Sequence, residues 1–119
     1  MTPSHRSIGS RGEILAAAYL RNRGYLILAH NWRCEQGEVD IVAQDADTLV
    51  IVEVRTRRSL TFGSPEESVN ETKRARLRTL AEAVTQAWDW QGPWRIDVVA
   101  VDLTGNRRCV RLLTDVVEG

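Results

Sequence analysis

Apolar residues in this chain either alternate with polar ones over short stretches or recur every three to four positions over longer ones. Residues 8–23 follow the helical spacing, with Ile14, Ala17, Ala18 and Leu20 among the apolar positions and Gly24 as the stop. Residues 25–32 open with Tyr-Leu-Ile-Leu-Ala and read as a first strand, and residues 34–37 read as a turn. Two further strands follow, 38–43 and 49–55, joined by the polar residues 45–48 as a hairpin loop. After a loop at 57–64, Ser64, Pro65 and Glu67 suit a helix start, with Asn70 as the alternative cap. That helix runs to Trp88 or Asp89 and carries Leu77, Leu80, Ala81, Val84 and Trp88 on one face. Gln91, Gly92 and Pro93 break it, residues 94–101 form a fourth strand, and a turn at Gly105 and Asn106 leads to a short fifth strand at 109–113. The order α-β-β-β-α-β-β predicts an α/β (α+β) fold, a mixed sheet flanked by helices with a right-handed helical crossover. Strand faces that are wholly apolar require cover on both sides of the sheet.

The second and third strands interrupt this pattern. Glu38 and Asp40 sit in one apolar run, Glu53 and Arg55 in the other. Burying a carboxylate without a partner is costly, so apolar strands rarely carry several. If residues 45–48 are the loop, Ala43 opposes Val50, Asp40 opposes Glu53, and Glu38 opposes Arg55. Opposed residues share a face with β-carbons about 5 Å apart. One face then reads Glu38, Asp40, Val42, Ile51, Glu53, Arg55, and the other, wholly apolar, reads Val39, Ile41, Ala43, Val50, Val52, Val54. A one-residue slip would separate Asp40 from Glu53. Oxygen ligands at this density suit Mg2+ or Mn2+, and matched His and Cys ligands for zinc are lacking. Such an ion polarises a phosphoryl oxygen and activates water for phosphodiester cleavage. The alternative is a purely structural network in which neighbouring arginines, Arg55 with Glu38 above all, neutralise the acids.

Glu13 is a third candidate ligand, because it shares a helix face with Ala16, Ala17 and Leu20. A first-turn glutamate is also favoured by the helix dipole alone. Arg55 stays protonated and so is excluded as a general base, but a guanidinium can clamp a phosphate in two-point fashion. Lys73, the single lysine of the chain, lies near the start of the long helix, where a phosphate is also favoured; an exposed solvated lysine is the plain alternative. Trp88, Trp90 and Trp94 read as a hydrophobic seal over the helix–strand break, and Arg95 and Asp97 alternate on the fourth strand as a structural pair.

The chain has 119 residues, which predicts one domain over residues 1–119 with a frayed end at 1–7. Sixteen basic and sixteen acidic residues give a formal charge of zero, so net charge gives no preference for or against a polyanion. The basic residues are nonetheless uneven: Arg55, Arg57 and Arg58 end one strand and Lys73, Arg74, Arg76 and Arg78 open the long helix. Such a cluster can meet nucleic-acid phosphates, and a solvated helix face is the alternative. No apolar run approaches the roughly 20 residues that span a bilayer, and the N-terminal residues carry no signal-peptide h-region. The expected location is cytoplasmic, with no membrane partner, and Cys34 and Cys109 as reduced thiols.

The acidic and basic positions fall within a longer ordered set: Gly9, Gly12-Glu13, Tyr19-Leu20, Gly24-Tyr25, Asn31, Arg33, Gly37-Glu38-Val39-Asp40, Val52-Glu53-Val54-Arg55-Thr56-Arg57, Gly63, Pro65, Glu67, Lys73 and Arg95-Ile96-Asp97. With them the chain resembles the PD-(D/E)xK restriction-endonuclease-like superfamily, and more closely the YraN-like family of uncharacterised bacterial proteins. The resemblance implies a nuclease-type core related to Holliday-junction resolvases. It implies Asp40 and Glu53 as ligands to Mg2+ or Mn2+, with Glu13 matching the helix-borne acid of the resolvase-like group. The superfamily usually carries lysine where this chain has Arg55, a position at which Lys73 could supply the amine from the helix. The expected function is a nuclease-like protein acting on DNA, branched forms included, or RNA. In it Asp40, Glu53, Arg55 and Lys73 form the catalytic set, and Arg55, Arg57, Lys73 and Arg74 contact nucleic acid. A non-catalytic nucleic-acid-binding module is the alternative. A homodimer is expected by analogy with resolvases.

Overall fold

The computed structural model describes residues 11–58 and 71–118. Helix α1 (Arg11–Asn22) is followed by strands β1 (Leu26–Cys34), β2 (Gly37–Asp45) and β3 (Thr48–Arg57), helix α2 (Glu71–Ala87), and strands β4 (Trp94–Asp102) and β5 (Cys109–Glu118). The strands form one sheet in the order of the chain. The pairs β1–β2, β2–β3 and β4–β5 are antiparallel, and β3–β4 is parallel across the α2 crossover. This is the mixed α+β sheet with flanking helices that the pattern predicts.

Each helix covers one face. The strand residues alternate between two cores, so β3 and β4 read as nearly unbroken apolar runs. On the α1 side Ala16, Ala17 and Leu20 pack on Ile41, Ala43, Val50, Val52, Val99 and Val101. On the α2 side Leu77, Leu80, Ala81 and Val84 pack on Val42, Leu49, Ile51 and Ile96. Each such fully buried aliphatic side chain stabilises the fold by about 1.5–3 kcal/mol. Alanines at the centre of the α1 stripe let that helix lie close to the sheet. Gly12 brings its first turn closer still, since a Cβ there would collide with Thr56 Oγ1 of β3. Trp88, Trp90 and Trp94 pack against the α2-side core, as the expected seal.

Several boundaries differ from expectation. The β2–β3 loop is the two residues Ala46 and Asp47 rather than residues 45–48, because Asp45 pairs with Thr48. Ala46 takes the positive φ (56°) that a tight hairpin needs. The Ala43–Val50 register is the expected one. β1 extends to Cys34, and β5 runs to Glu118, far past residue 113, with a register shift between Ile96 and Val98 that realigns it on β4. The helix-start signals at Ser64, Pro65 and Asn70 lie outside the described residues. Among the described residues no helix is long and apolar enough to cross a membrane.

Candidate functional site

The β2–β3 ladder ends at Ile41–Val52. The expected ladder pairs Asp40–Glu53 and Glu38–Arg55 therefore do not form, and the reason is visible in the side chains. The backbone N–H of Val54 donates to Asp40 Oδ2 at 2.8 Å, so a carboxylate stands where the ladder would supply a carbonyl. Alternation slips at the same point: Val39, expected beside Ile41, packs with Val42 in the α2-side core. Ala29 and Trp32 slip likewise on β1. Asn31 lies between them with φ 49°, a left-handed conformation that Asn tolerates better than most residues. Both strands thus break alternation at one level, and regular pairing of β2 with β3 stops just where the acids begin.

Asn31 then ties the splayed end together. Its Nδ2 donates to Glu38 Oε2 and, at 3.5 Å, to Glu13 Oε1. Arg33 Nη2 lies 3.4 Å from Glu38 Oε1 across a well-exposed edge. Glu38 therefore belongs to Asn31 and Arg33, correcting the pairing with Arg55 that simple register suggests. Glu13 reaches this cluster because Gly12 seats the α1 start against Thr56.

Glu53 is buried, at 7% exposure. Arg55 Nη2 lies 3.0 Å from Glu53 Oε2, and Arg76 Nη2 of α2 lies 3.7 Å from the same oxygen. The Arg55 contact is electrostatic rather than a directed bond. Its Nε and Nη2 are buried and have no hydrogen-bond acceptor among the described residues, and the same holds for Asn31 Oδ1 as an acceptor. Burial raises the Asp40 carboxyl from 3.8 to about 7, and the negative charges of Glu53, Glu13 and Glu38 push the same way against the opposing Val54 bond. The four acids are thus one electrostatic unit. No three His, Cys, Asp or Glu side chains among the described residues gather closely enough to share one ion as they stand.

Of the other expected residues, Lys73 lies one helical turn before Leu77 on the stripe of α2 that faces the sheet, partly buried. Arg74 is exposed and meets Glu71 at 3.5 Å, a solvated surface pair. Arg57 ends β3 beside Asp102 of β4. Asn31 is the member that reading the sequence for chemistry passes over, and Arg76, expected only within the basic cluster of the long helix, turns out to face Glu53. A polar, left-handed-tolerant residue inside the apolar β1 run was the available signal for Asn31.

A second polar cluster lies at the opposite end of the strands, near the hairpin. Asp97, fully buried, accepts from the Tyr25 hydroxyl at 3.0 Å and from Arg95 Nε at 3.0 Å. Arg95 Nη2 also reaches Tyr25 Oη at 2.7 Å and Asp45 Oδ2 at 2.9 Å. Burial first, then Asp97, pushes the Tyr25 phenol up to about 12. The structural Arg95–Asp97 pair is as expected, with Tyr25 and Asp45 added. It ties the α1–β1 connection, the hairpin end of β2 and β4 together.

Comparison with known proteins matches residues 12–101 to a family described as uncharacterised protein family UPF0102. Among similar sequences, a UPF0102 protein of Nocardia farcinica is 49% identical over 108 residues, covering 88% of this chain and 84% of the relative. One of Roseiflexus castenholzii is 50% identical over 105 residues, covering 87% and 85%. One of Moorella thermoacetica is 49% identical over 109 residues, covering 91% of each.

Proposed function

This chain belongs to the uncharacterised protein family UPF0102, and we propose that it is a nuclease-like, nucleic-acid-binding protein that hydrolyses phosphodiesters at Asp40 and Glu53 with Mg2+ or Mn2+. One observation carries the reading: a buried glutamate and a half-buried aspartate occupy the splayed end of two central strands, beside a guanidinium with unspent donors. Like charges held together out of water are destabilising unless a cation joins them.

The residues fit the ion. Mg2+ retains several waters and needs only one or two protein carboxylates, so the lack of a three-ligand cluster is no obstacle. Asp40 and Glu53 would hold it, Glu13 would support it, and the unpartnered Asn31 Oδ1 is a further oxygen donor. When bound, the ion polarises a phosphoryl oxygen and makes water a better nucleophile. Arg55, whose guanidinium lies against Glu53, would be the cation nearest the scissile phosphate. Asn31 orients Glu13 and Glu38, and Arg76 holds Glu53 Oε2. Lys73 adds positive charge on the same helix stripe one turn earlier.

The direct experiment incubates the full chain with labelled duplex, branched and single-stranded DNA and with RNA, with Mn2+ and with EDTA. Mn2+-dependent product that disappears in Glu53→Ala is expected. Product that survives Glu53→Ala, or none from any substrate, sinks the catalytic claim. One observation favours a non-catalytic binding module as the second reading: two guanidinium groups already engage Glu53 Oε2. That reading expects salt-dependent binding and no product.

A further inference from the structure

Five arginines, Arg57 and four not among the residues expected to contact nucleic acid, gather at the end of the sheet where β3 and β4 finish. Two adjoining concavities of about 320 and 240 Å3 lie there and share Arg107. Arg57 and Arg111 line the larger, Arg11 and Arg108 the smaller. Asp102 is the single carboxylate in either lining. It is already engaged by Arg107 at 3.5 Å and by the Thr104 backbone N–H at 3.0 Å. Arg11, Arg107, Arg108 and Arg111 are exposed. The chain is neutral, so this is charge separation. Asp45, Asp47 and Asp89 sit at the other end of the sheet, in the hairpin before β3 and the turn before β4.

Strand register ties this surface to the acidic site. Arg55 pairs with Ala100 across β3–β4, and Ala100 pairs with Arg111 across β4–β5. Directly opposed residues share a face, so Arg55 and Arg111 stand on one face two strands apart, roughly 10 Å. Duplex DNA carries about one phosphate per 3.4 Å of helix axis on each strand, so that gap corresponds to roughly three nucleotides measured along the axis. Arg57, in the next row, and the β4–β5 turn continue the line outward.

We propose that the arginine surface around the β4–β5 turn is a second seat for the nucleic-acid backbone, holding the strand that leads away from the Asp40–Glu53 site. This rests on the reading under Proposed function and adds where the polyanion lies. Guanidinium forks bind phosphate oxygens in pairs and carry no base code, so the contact fixes position without sequence preference.

The test is fluorescence anisotropy of labelled duplex and single-stranded DNA with the full chain in EDTA, across a salt series. The triple variant Arg107→Ala, Arg108→Ala, Arg111→Ala changes only exposed positions, and its melting curve verifies folding. Its affinity is expected to fall about tenfold or more, with a salt slope shallower by about 0.9 for each lost phosphate contact. The corresponding triple lysine variant is expected to recover most of the loss. Arg23→Ala, at the far end of α1, is expected to bind as the parent does. A folded triple alanine variant with the parent's affinity and slope overturns the second seat and leaves the proposed function standing. A parent chain that binds no DNA, and no labelled RNA in the same assay, overturns both.

Discussion

Asp40 is held at the price of stability, and removing its charge should make the metal-free protein more stable. The perturbation is Asp40→Asn, whose side-chain oxygen can still accept the Val54 N–H. Burial and the charges of Glu53, Glu13 and Glu38 move the carboxyl from 3.8 to about 7, with Arg55 and Arg76 facing Glu53 rather than Asp40. A folded-state value above the unfolded one means that the fold binds the proton more tightly. The stabilising contribution is therefore complete below about pH 4 and is lost as pH rises through about 7. At about 1.4 kcal/mol per tenfold change, ionising Asp40 costs the fold about 4 kcal/mol at most. Partial exposure and relaxation of the neighbouring acids reduce this, so a gain of about 1–3 kcal/mol for the variant is expected at pH 8. For a domain of this size that raises Tm by roughly 4–12 °C. The assay is thermal unfolding of parent and variant in EDTA at pH 5 and pH 8. Groups common to both proteins cancel in the difference, so the gap should be near its full size at pH 8 and less than about half of that at pH 5. A variant that is no more stable than the parent at pH 8, or a gap independent of pH, refutes the electrostatic account of the site.

Gly12→Ala should lose about 1–3 kcal/mol through collision with Thr56 Oγ1, even though alanine is the better helix former, and Thr56→Ala should restore most of it in a double-mutant cycle by urea unfolding. Asp97→Ala should lose about 3 kcal/mol or more in the same assay, since it leaves the Arg95 charge and the Tyr25 hydroxyl short of their buried partner. Leu80→Ala should lose about 2–5 kcal/mol, because Leu80 is fully buried in the α2-side core, and the loss should show as a lower urea midpoint.

The sequence discloses those features that rest on period and charge. The Leu77, Leu80, Ala81, Val84 stripe of α2 and the Ala43–Val50 register follow from spacing alone, and Arg95 with Asp97 follows from two opposite charges on one strand face. What it hides comes from single-residue departures. Strict alternation puts Val39 beside Ile41, and only the break at Asn31 and Asp40 moves it to the other core. The same break exchanges the partners of Glu38 and Arg55. The length of β5 is hidden because a register shift interrupts its pairing after Val98. The arginine surface escapes a linear reading for another reason. Its members come from α1, β3, the β4–β5 turn and β5, and only sheet order brings them side by side.

The bond from Val54 N–H to Asp40 Oδ2 gives one backbone amide of the central strand an acceptor that can be switched. Ladder carbonyls do not titrate near neutral pH, whereas burial and neighbouring acids push this carboxyl up toward that range. Hydrogen exchange at Val54 is therefore expected to follow the charge on its Asp40 acceptor. A single side chain standing in for backbone makes the middle of the sheet a local zip whose last tooth is an ionisable group.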